Sequence, residues 1–191
     1  MTIKKIGVLG AGIMGGGGGV AQLAAVRGFE VVLYCEQEHF IESAIKRISG
    51  LLDRRIEKQK MTFKEKELAL QRIKITSDMA DFASVDMVIE TIYFDDLEIK
   101  KLAFEKMDKI CGAEAIFCST NIPDISDISI TDLASATSRP NKVVGLKLLN
   151  PPQTTRSVEV IRGYHTSDET LVLVTEAFQA MGKKVIVPLA K

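Results

Sequence analysis

The sequence predicts an α/β domain in which a doubly wound, mostly parallel sheet carries helices on both faces. Short apolar segments alternate with longer, more polar ones along the chain, as strands and helices do in such folds. A run of glycines directly follows the first apolar segment. The 191 residues contain no repeat and no linker, so we expect one domain over residues 1–191.

The elements follow from this alternation in chain order. Strands are predicted at residues 5–9, 30–34, 73–76, 86–90, 115–118, 142–149, 157–162 and 183–187. Helices are predicted at residues 20–27, 37–60, 62–72, 97–110 and 166–181. Capping-box sequences open two of them, at Thr62–Glu65 and Thr166–Glu169. The helices 37–60 and 62–72 predict a helical hairpin excursion over about 37–73.

Composition narrows the class of partner and compartment. The 25 basic side chains balance the 25 acidic ones, and there is no Trp, so we expect neither a nucleic acid nor a membrane as partner. No stretch reaches the roughly 18 apolar residues of a membrane span. The N-terminus does not read as a signal peptide, and the three cysteines lack the spacing of a redox or metal motif. We therefore expect a cytoplasmic protein with no metal site.

The glycine run contains a motif with a known mechanism. Gly10, Gly12 and Gly15 match G-x-G-x-x-G, with Ile13 and Met14 between them. The motif follows a strand and opens a helix within a βαβ unit, which is the context of a Rossmann-type dinucleotide site. There Gly10 allows the tight turn, Gly12 lets the backbone approach a pyrophosphate, and Gly15 lets helix and strand pack closely.

Four further glycines, Gly16 to Gly19, follow the motif. Each glycine inside a helix costs roughly 1 kcal/mol relative to alanine. We therefore expect the glycine run to widen the turn or delay the helix, which should become regular only near Val20.

The end of the second strand bears on the choice of cofactor. NAD sites prefer an acidic residue there, to bind the adenine ribose hydroxyls. This chain has Cys35 followed by Glu36, and only Glu36 can accept such bonds. No arginine follows within a few residues, so NAD is favoured over NADP.

Several segments along the chain together resemble the sequence of a known protein family. "KKIGVLGAGIMG", "VAQLAAVRGFEVVLY", "DLEIKK", "SITDLASATSRPNKVVGLKLLNPP" and "SVEVIRGYHTSDET" resemble the NAD-binding domain of the 3-hydroxyacyl-CoA dehydrogenase family. The resemblance implies NAD-dependent oxidation of a 3-hydroxyacyl-CoA in fatty acid metabolism. It also implies a helical C-terminal domain for dimerisation and substrate binding. Because the chain stops at Lys191, we expect that domain to be absent, or supplied by a dimer or a partner chain.

The resemblance also assigns residues. The family's histidine base falls on Lys147, its asparagine on Asn150, and the glutamate that holds the base on Glu159. The family's serine segment is disrupted here, and Ser126 is the nearest candidate. Further cofactor contacts fall on Glu90 and Asn121.

Lys147 leaves two functions open. A general base needs a pKa near the working pH, whereas the ordinary pKa of a lysine side chain is about 10.4. The neighbouring Glu159 would stabilise the ammonium form, so an ion pair is favoured over a catalytic dyad. His39 and His165 are interpreted as surface residues. The chain is therefore either a dehydrogenase with weak or absent activity, or an inactive nucleotide-binding or partner-binding module.

A basic cluster lies in the predicted hairpin. It consists of Arg54, Arg55, Lys58, Lys60, Lys64 and Lys66. In the resembling family this region lies along the CoA tail, so these side chains could meet its phosphates. The interleaved Glu57, Glu65 and Glu67 favour an ordinary solvated surface instead.

Overall fold

The computed structural model describes residues 2–12, 19–92, 96–121 and 128–188. Its strands are β1 (Lys5–Leu9), β2 (Glu30–Tyr34), β3 (Ile73–Thr76), β4 (Met87–Glu90), β5 (Ile116–Asn121), β6 (Val143–Lys147), β7 (Ser157–Arg162) and β8 (Lys184–Ile186). They form one sheet in the order β3-β2-β1-β4-β5-β6-β7-β8. Every pairing is parallel except that of β6 with β7.

The strand order reverses at β1. From β1 the chain builds outward through β2 to β3, and then crosses back to place β4 on the other side of β1. Ligands of open α/β sheets bind outside the carboxyl ends of the strands at such a switch point. The carboxyl ends of β1, β2 and β4 are therefore the place to look for a site.

Helices cover both faces of the sheet. They are α1 (Val20–Val26), α2 (Ile41–Glu57), α3 (Phe63–Gln71), α4 (Leu97–Ile110), α5 (Ile130–Ala134) and α6 (Asp168–Ala180). Among the described residues, short 3₁₀ helices lie at Glu38–Phe40, Met79–Ser84 and Pro140–Lys142. In the described part of the chain, none of the helices has the length and apolar character needed to cross a bilayer.

Alternate strand residues feed two separate cores. Val31 and Leu33 of β2 pack in the core that α1, α2, α3 and α6 cover, whereas Val32 faces the opposite core. That second core is closed by α4 and α5, through Phe104 and Leu133 among others. Because central strands are buried on both faces, they are apolar throughout, as doubly wound folds require. The predicted fold class is confirmed.

The start of α1 agrees with the prediction from the glycine run. Its first residue is Val20, and Gly19 occupies the N-cap without a side-chain hydrogen bond. Ile13 to Gly18 lie outside the described residues, so the width of the turn stays a prediction.

The segment predicted as one helix over 37–60 is divided. A 3₁₀ turn at Glu38–Phe40 leads into α2, which ends at Glu57. The capping box at the start of α3 is confirmed, since Thr62 and Glu65 each accept the other's backbone N–H. The ammonium of Lys66 on α3 lies 2.5 Å from the carboxylate of Asp53 on α2, which ties the two helices together.

The second predicted capping box is wrong. Ser167, not Thr166, is the N-cap of α6, and its hydroxyl accepts the N–H of Thr170 at 3.2 Å. The Thr166 side chain is buried beside β6, where it donates to the carbonyl of Val143 at 2.6 Å and accepts the N–H of Gly163 at 2.9 Å. The Thr166 hydroxyl therefore bonds β6 and does not cap α6 as the local pattern predicts.

Candidate functional site

The turn after β1 depends on a glycine and on a threonine of the neighbouring strand end. Gly10 has φ +120°, and a Cβ there would lie 2.9 Å from Thr91 Oγ1. The Thr91 hydroxyl lies 3.1 Å from the carbonyl oxygens of both Leu9 and Gly10. The backbone N–H of Thr91 also donates to the carbonyl of Leu9, at 2.9 Å. The turn is therefore anchored to the end of β4, and only glycine fits at position 10.

Gly12 presents the opposite case. It is exposed, and a Cβ built on it meets nothing within 4 Å. None of the described residues requires a glycine here, so on their side the missing side chain leaves room for something else. A pyrophosphate approaching the backbone would need that room, so this position fits a dinucleotide. The predicted contacts Ile13, Met14 and Gly15 lie outside the described residues.

A cavity of about 300 Å³ opens between this turn and the end of β2. From the turn and β2 it is lined by Ala11, Gly12, Cys35, Glu36 and Gln37. From the 3₁₀ turn and α2 it is lined by Phe40, Ser43, Ala44 and Arg47. In a Rossmann-type fold this is the position of the adenosine half of the cofactor.

The two residues predicted to meet the ribose differ in accessibility. Glu36 is exposed at the cavity and can accept hydrogen bonds. Cys35 is 4% exposed, and its thiol lies 3.5 Å from the carbonyl of Gln37. Of the two, Glu36 alone offers a carboxylate to the cavity.

A buried polar cluster lies beneath the switch point, at the ends of β4 and β5. The Glu90 carboxylate accepts hydrogen bonds from the ammonium of Lys100 at 2.8 Å and from the hydroxyl of Ser119 at 2.7 Å. Lys100 also donates to the carbonyl of Thr120 at 3.1 Å. Burial raises the pKa of Glu90, and Lys100, Ser119 and the N–H of Ile92 oppose that rise.

One predicted cofactor contact, Glu90, belongs to this cluster, and another, Asn121, adjoins it. Glu90 is 0% exposed, so its carboxylate serves Lys100 and the backbone N–H of Ile92. Asn121 is the last residue of β5 and is paired in register with Lys147 of β6. The cluster thus joins the carboxyl ends of β4 and β5.

The two main catalytic candidates are brought together by the antiparallel pairing of β6 and β7. Lys147 is the last residue of β6 and lies directly opposite Glu159 of β7. Both side chains are half-buried. The predicted ion pair between them is nevertheless absent from the ion pairs formed in the described part of the chain. That expectation is corrected: register places the residues opposite, but the ammonium and carboxylate do not meet.

The third candidate, Asn150, is exposed in the loop that follows β6, and its bond to Pro151 is cis. The ammonium of Lys183 donates to the carbonyls of Pro152 and Thr155, the latter at 2.5 Å. These two hydrogen bonds fix the backbone of this loop. Burial, and secondarily Arg27, lowers the pKa of Lys183. The remaining candidate, Ser126, lies outside the described residues.

Four residues around the site were missed in the sequence: Arg47, Thr91, Lys100 and Lys183. Lys100 had a readable signal, because it lies on the buried face of α4 with Phe104 and Met107. A lysine in the apolar stripe of a helix indicates a buried partner. The other three depend on tertiary contacts that no local pattern shows.

The basic cluster of the predicted hairpin lies beside a shallow groove on α2. Its lining comprises Lys46, Arg47, Gly50, Leu51, Asp53, Arg54 and Glu57. Within the cluster, Lys66 pairs with Asp53, while Arg54, Lys58, Lys60 and Lys64 are exposed. Elsewhere, across the residues the structure describes, no three His, Cys, Asp or Glu side chains come together as metal ligands.

Comparison with known proteins gives one consistent result. The family described as 3-hydroxyacyl-CoA dehydrogenase, NAD binding domain, matches residues 5–190. A probable 3-hydroxybutyryl-CoA dehydrogenase of Deinococcus radiodurans is 41% identical, over 94% of this chain and 62% of the relative. A 3-hydroxybutyryl-CoA dehydrogenase of Bradyrhizobium diazoefficiens is 40% identical, over 97% of this chain and 61% of the relative.

Solved structures agree. The crystal structure of (S)-3-hydroxybutyryl-CoA dehydrogenase from Ralstonia eutropha superposes with a TM-score of 0.90 at 35% identity, over 97% of this chain and 63% of that one. The chain thus spans about three fifths of the length of these relatives. The switch-point geometry, the open space at Gly12 and the matched family agree, and the chain belongs to the 3-hydroxyacyl-CoA dehydrogenase family, of which it comprises the NAD-binding domain.

Proposed function

We propose that the chain holds NAD for hydride exchange with a 3-hydroxyacyl-CoA, and that this exchange is weak or absent because Lys147 occupies the base position. NAD supplies the hydride acceptor when bound. The single observation that carries the proposal is the placement of Lys147, at the end of β6, opposite Glu159 and level with Asn121.

The chain's own residues divide the remaining work. Gly10 and Gly12 shape the turn for the pyrophosphate, and Glu36 accepts from the ribose hydroxyls. Asn150 donates its amide N–H to the substrate oxygen at C3. Lys147 lies at the position of the base, and an ammonium there cannot remove the hydroxyl proton.

The CoA part of the substrate is assigned to α2. Arg54 and Lys58 lie on exposed positions one helical turn apart, where two cations could meet phosphates. Glu57 lies between them and reduces the local positive charge. A free CoA titration, with Arg54→Ala against Lys46→Ala as control, tests this assignment: a loss of affinity in the first variant alone supports it.

A second function is favoured by a specific surface. Leu149, Ile186 and Val187 are 40–49% exposed at the same end of the sheet, beside Lys147 and on the edge strand. Exposed apolar side chains at a free edge are suited to a partner chain or a further domain. The alternative is thus an inactive nucleotide-binding or partner-binding module.

One assay separates the two functions. NADH formation is followed by absorbance with 3-hydroxybutyryl-CoA and NAD, and the mass of the protein in solution is measured in parallel. Turnover above the uncatalysed rate supports the dehydrogenase. NADH binding without turnover, in an assembly larger than one chain, supports the module.

A further inference from the structure

A basic side chain lines the cavity at the end of β2, and the sequence alone does not predict it there. Arg47 stands eleven residues after Glu36 in the chain, yet α2 brings it to the same cavity. NAD is favoured over NADP in the sequence because no arginine follows Cys35 within a few residues. The folded chain adds one from the next helix.

The guanidinium of Arg47 forms no ion pair among the described residues, whereas the ammonium of its neighbour Lys46 does. Lys46 pairs with Glu42 at 2.7 Å, one turn earlier on the same helix. Among the ion pairs and hydrogen bonds of the described residues, Arg47 has no partner, and its side chain is exposed. A free guanidinium at a ribose pocket is suited to a phosphate monoester, which it can bind through two parallel N–H···O bonds.

The residue that normally excludes a 2′-phosphate is replaced. An acidic side chain at the end of the second strand binds the ribose hydroxyls and repels a phosphate on them. Here that position is Cys35, which is small, buried and turned toward the carbonyl of Gln37. Glu36, at the rim, is the acidic residue of the lining. The lining therefore contains one arginine and one glutamate.

We propose that this cavity accepts a dinucleotide with a 2′-phosphate on its adenine ribose as well as NAD. Arg47 binds the phosphate, and the carboxylate of Glu36 repels it. The proposal rests on the NAD-binding role of the glycine turn and extends it to the NADP(H) class. Phe40, which is 51% exposed and lines the same cavity, offers an apolar wall to the adenine of either cofactor.

The test is calorimetric titration of the folded chain with NADH and with NADPH. The two dissociation constants should lie within about tenfold of each other. Arg47→Ala should weaken NADPH binding by about tenfold or more and NADH binding by less than about threefold, since a charge-assisted bond to the phosphate is lost. Lys46→Ala, which removes the adjacent cation, should leave both constants within about threefold of their original values. Glu36→Gln should tighten NADPH binding.

The outcomes separate this proposal from NAD binding itself. NADH binding without NADPH binding overturns the 2′-phosphate site and leaves the NAD role intact. An equal loss of both affinities in Arg47→Ala also overturns it. If neither dinucleotide binds, both the site and the NAD role fail.

A third titration, with CoA, addresses the other ribose phosphate within reach, because Arg47 also lines the groove on α2. CoA affinity should be unchanged in Arg47→Ala. A loss of CoA affinity without a loss of NADPH affinity would assign Arg47 to CoA and overturn the proposal.

Discussion

The carboxylate of Glu90 and the ammonium of Lys100 lie 2.8 Å apart, with their side chains 0% and 1% exposed. Their partners, the Ser119 hydroxyl, the Thr120 carbonyl and the Ile92 N–H, belong to the ends of β4 and β5. A buried pair that satisfies its neighbours is costly to break, because the remaining charge has no water to solvate it. The cluster therefore fixes the strand ends beneath the cofactor site.

Lys100→Met should lower the free energy of unfolding by about 3–5 kcal/mol, since it leaves the Glu90 charge buried and unpaired. Urea denaturation at neutral pH measures this. The control is Lys101→Met, which removes the next lysine from a pair with Glu98 at 3.3 Å, whose carboxylate side chain is 76% exposed. That change should cost less than about 1 kcal/mol.

A double variant tests the mechanism. Glu90→Gln combined with Lys100→Met removes both charges and should recover part of the lost stability. Equal effects of the Lys100 and Lys101 changes would contradict a buried pair at this position.

Most of the fold could be predicted because local pattern and tertiary structure agree. β1 and β2 are apolar runs buried in both cores, and Thr62 caps α3 as its sequence indicates. The failures occur where one side chain had two possible partners. Thr166 could cap a helix or bond β6, and the buried carbonyl of Val143 decided between them. Sequence alone does not show which carbonyl comes near.

Gly12→Val should abolish NADH binding without lowering stability, because no described residue lies within 4 Å of the added Cβ and the pyrophosphate requires that space. Gly10→Val should instead destabilise the fold by about 1–3 kcal/mol or more, since its positive φ and the nearby Thr91 hydroxyl both oppose a side chain. Fluorescence titration with NADH and thermal unfolding separate the two effects.

The matched control for these glycines is Gly50→Ala on α2, where a Cβ also meets nothing within 4 Å. It should leave NADH affinity unchanged and stabilise the helix by up to about 1 kcal/mol. Unchanged NADH affinity in Gly12→Val would show that the glycine turn does not hold the cofactor.

Acid sensitivity should depend on Asp108. Burial raises the pKa of its carboxyl, but hydrogen bonds from Ser138 and Arg139, the latter at 2.6 Å, outweigh burial and lower the pKa below its ordinary value. A carboxyl with a lowered folded-state pKa contributes stability above the pKa of the unfolded chain, about 3.9, and loses it as the pH falls through the folded-state pKa.

Asp108→Asn should therefore cost about 1.5–3 kcal/mol at pH 7, and its difference from the unmodified chain should shrink as the pH falls below about 4. Denaturant unfolding across this pH range measures it. Glu114→Gln is the control, because its ion pair with Lys142 at 2.5 Å has a glutamate side chain that is 77% exposed. Its effect should be small at every pH, because solvent screens an exposed pair. A difference for Asp108→Asn that grows toward low pH would contradict the assignment.

The site was less predictable than the fold, because its residues come from separate elements. The sequence predicts Glu159 beside Lys147, and the pairing of β6 with β7 brings the two residues opposite each other. Whether their charges meet depends on side-chain direction, which the pattern does not encode. Arg47 reaches the adenosine cavity only because α2 turns back past the end of β2.

Lys147 should prevent efficient catalysis by this chain. The unmodified chain should show little or no oxidation of 3-hydroxybutyryl-CoA with NAD at neutral pH, because a general base contributes about 10²–10⁴-fold and an ammonium cannot act as one. Lys147→His restores an imidazole opposite Glu159 and should raise the rate. We expect only partial recovery, since the family's serine has no clear match in this sequence. Lys147→Met, which offers no base, should be as slow as the unmodified chain.

NADH titration and thermal unfolding of all three proteins should agree, so that any change in rate reflects the base alone. The result that would refute this interpretation is robust turnover by the unmodified chain that rises with pH and disappears in Lys147→Met. That outcome would make Lys147 a working base.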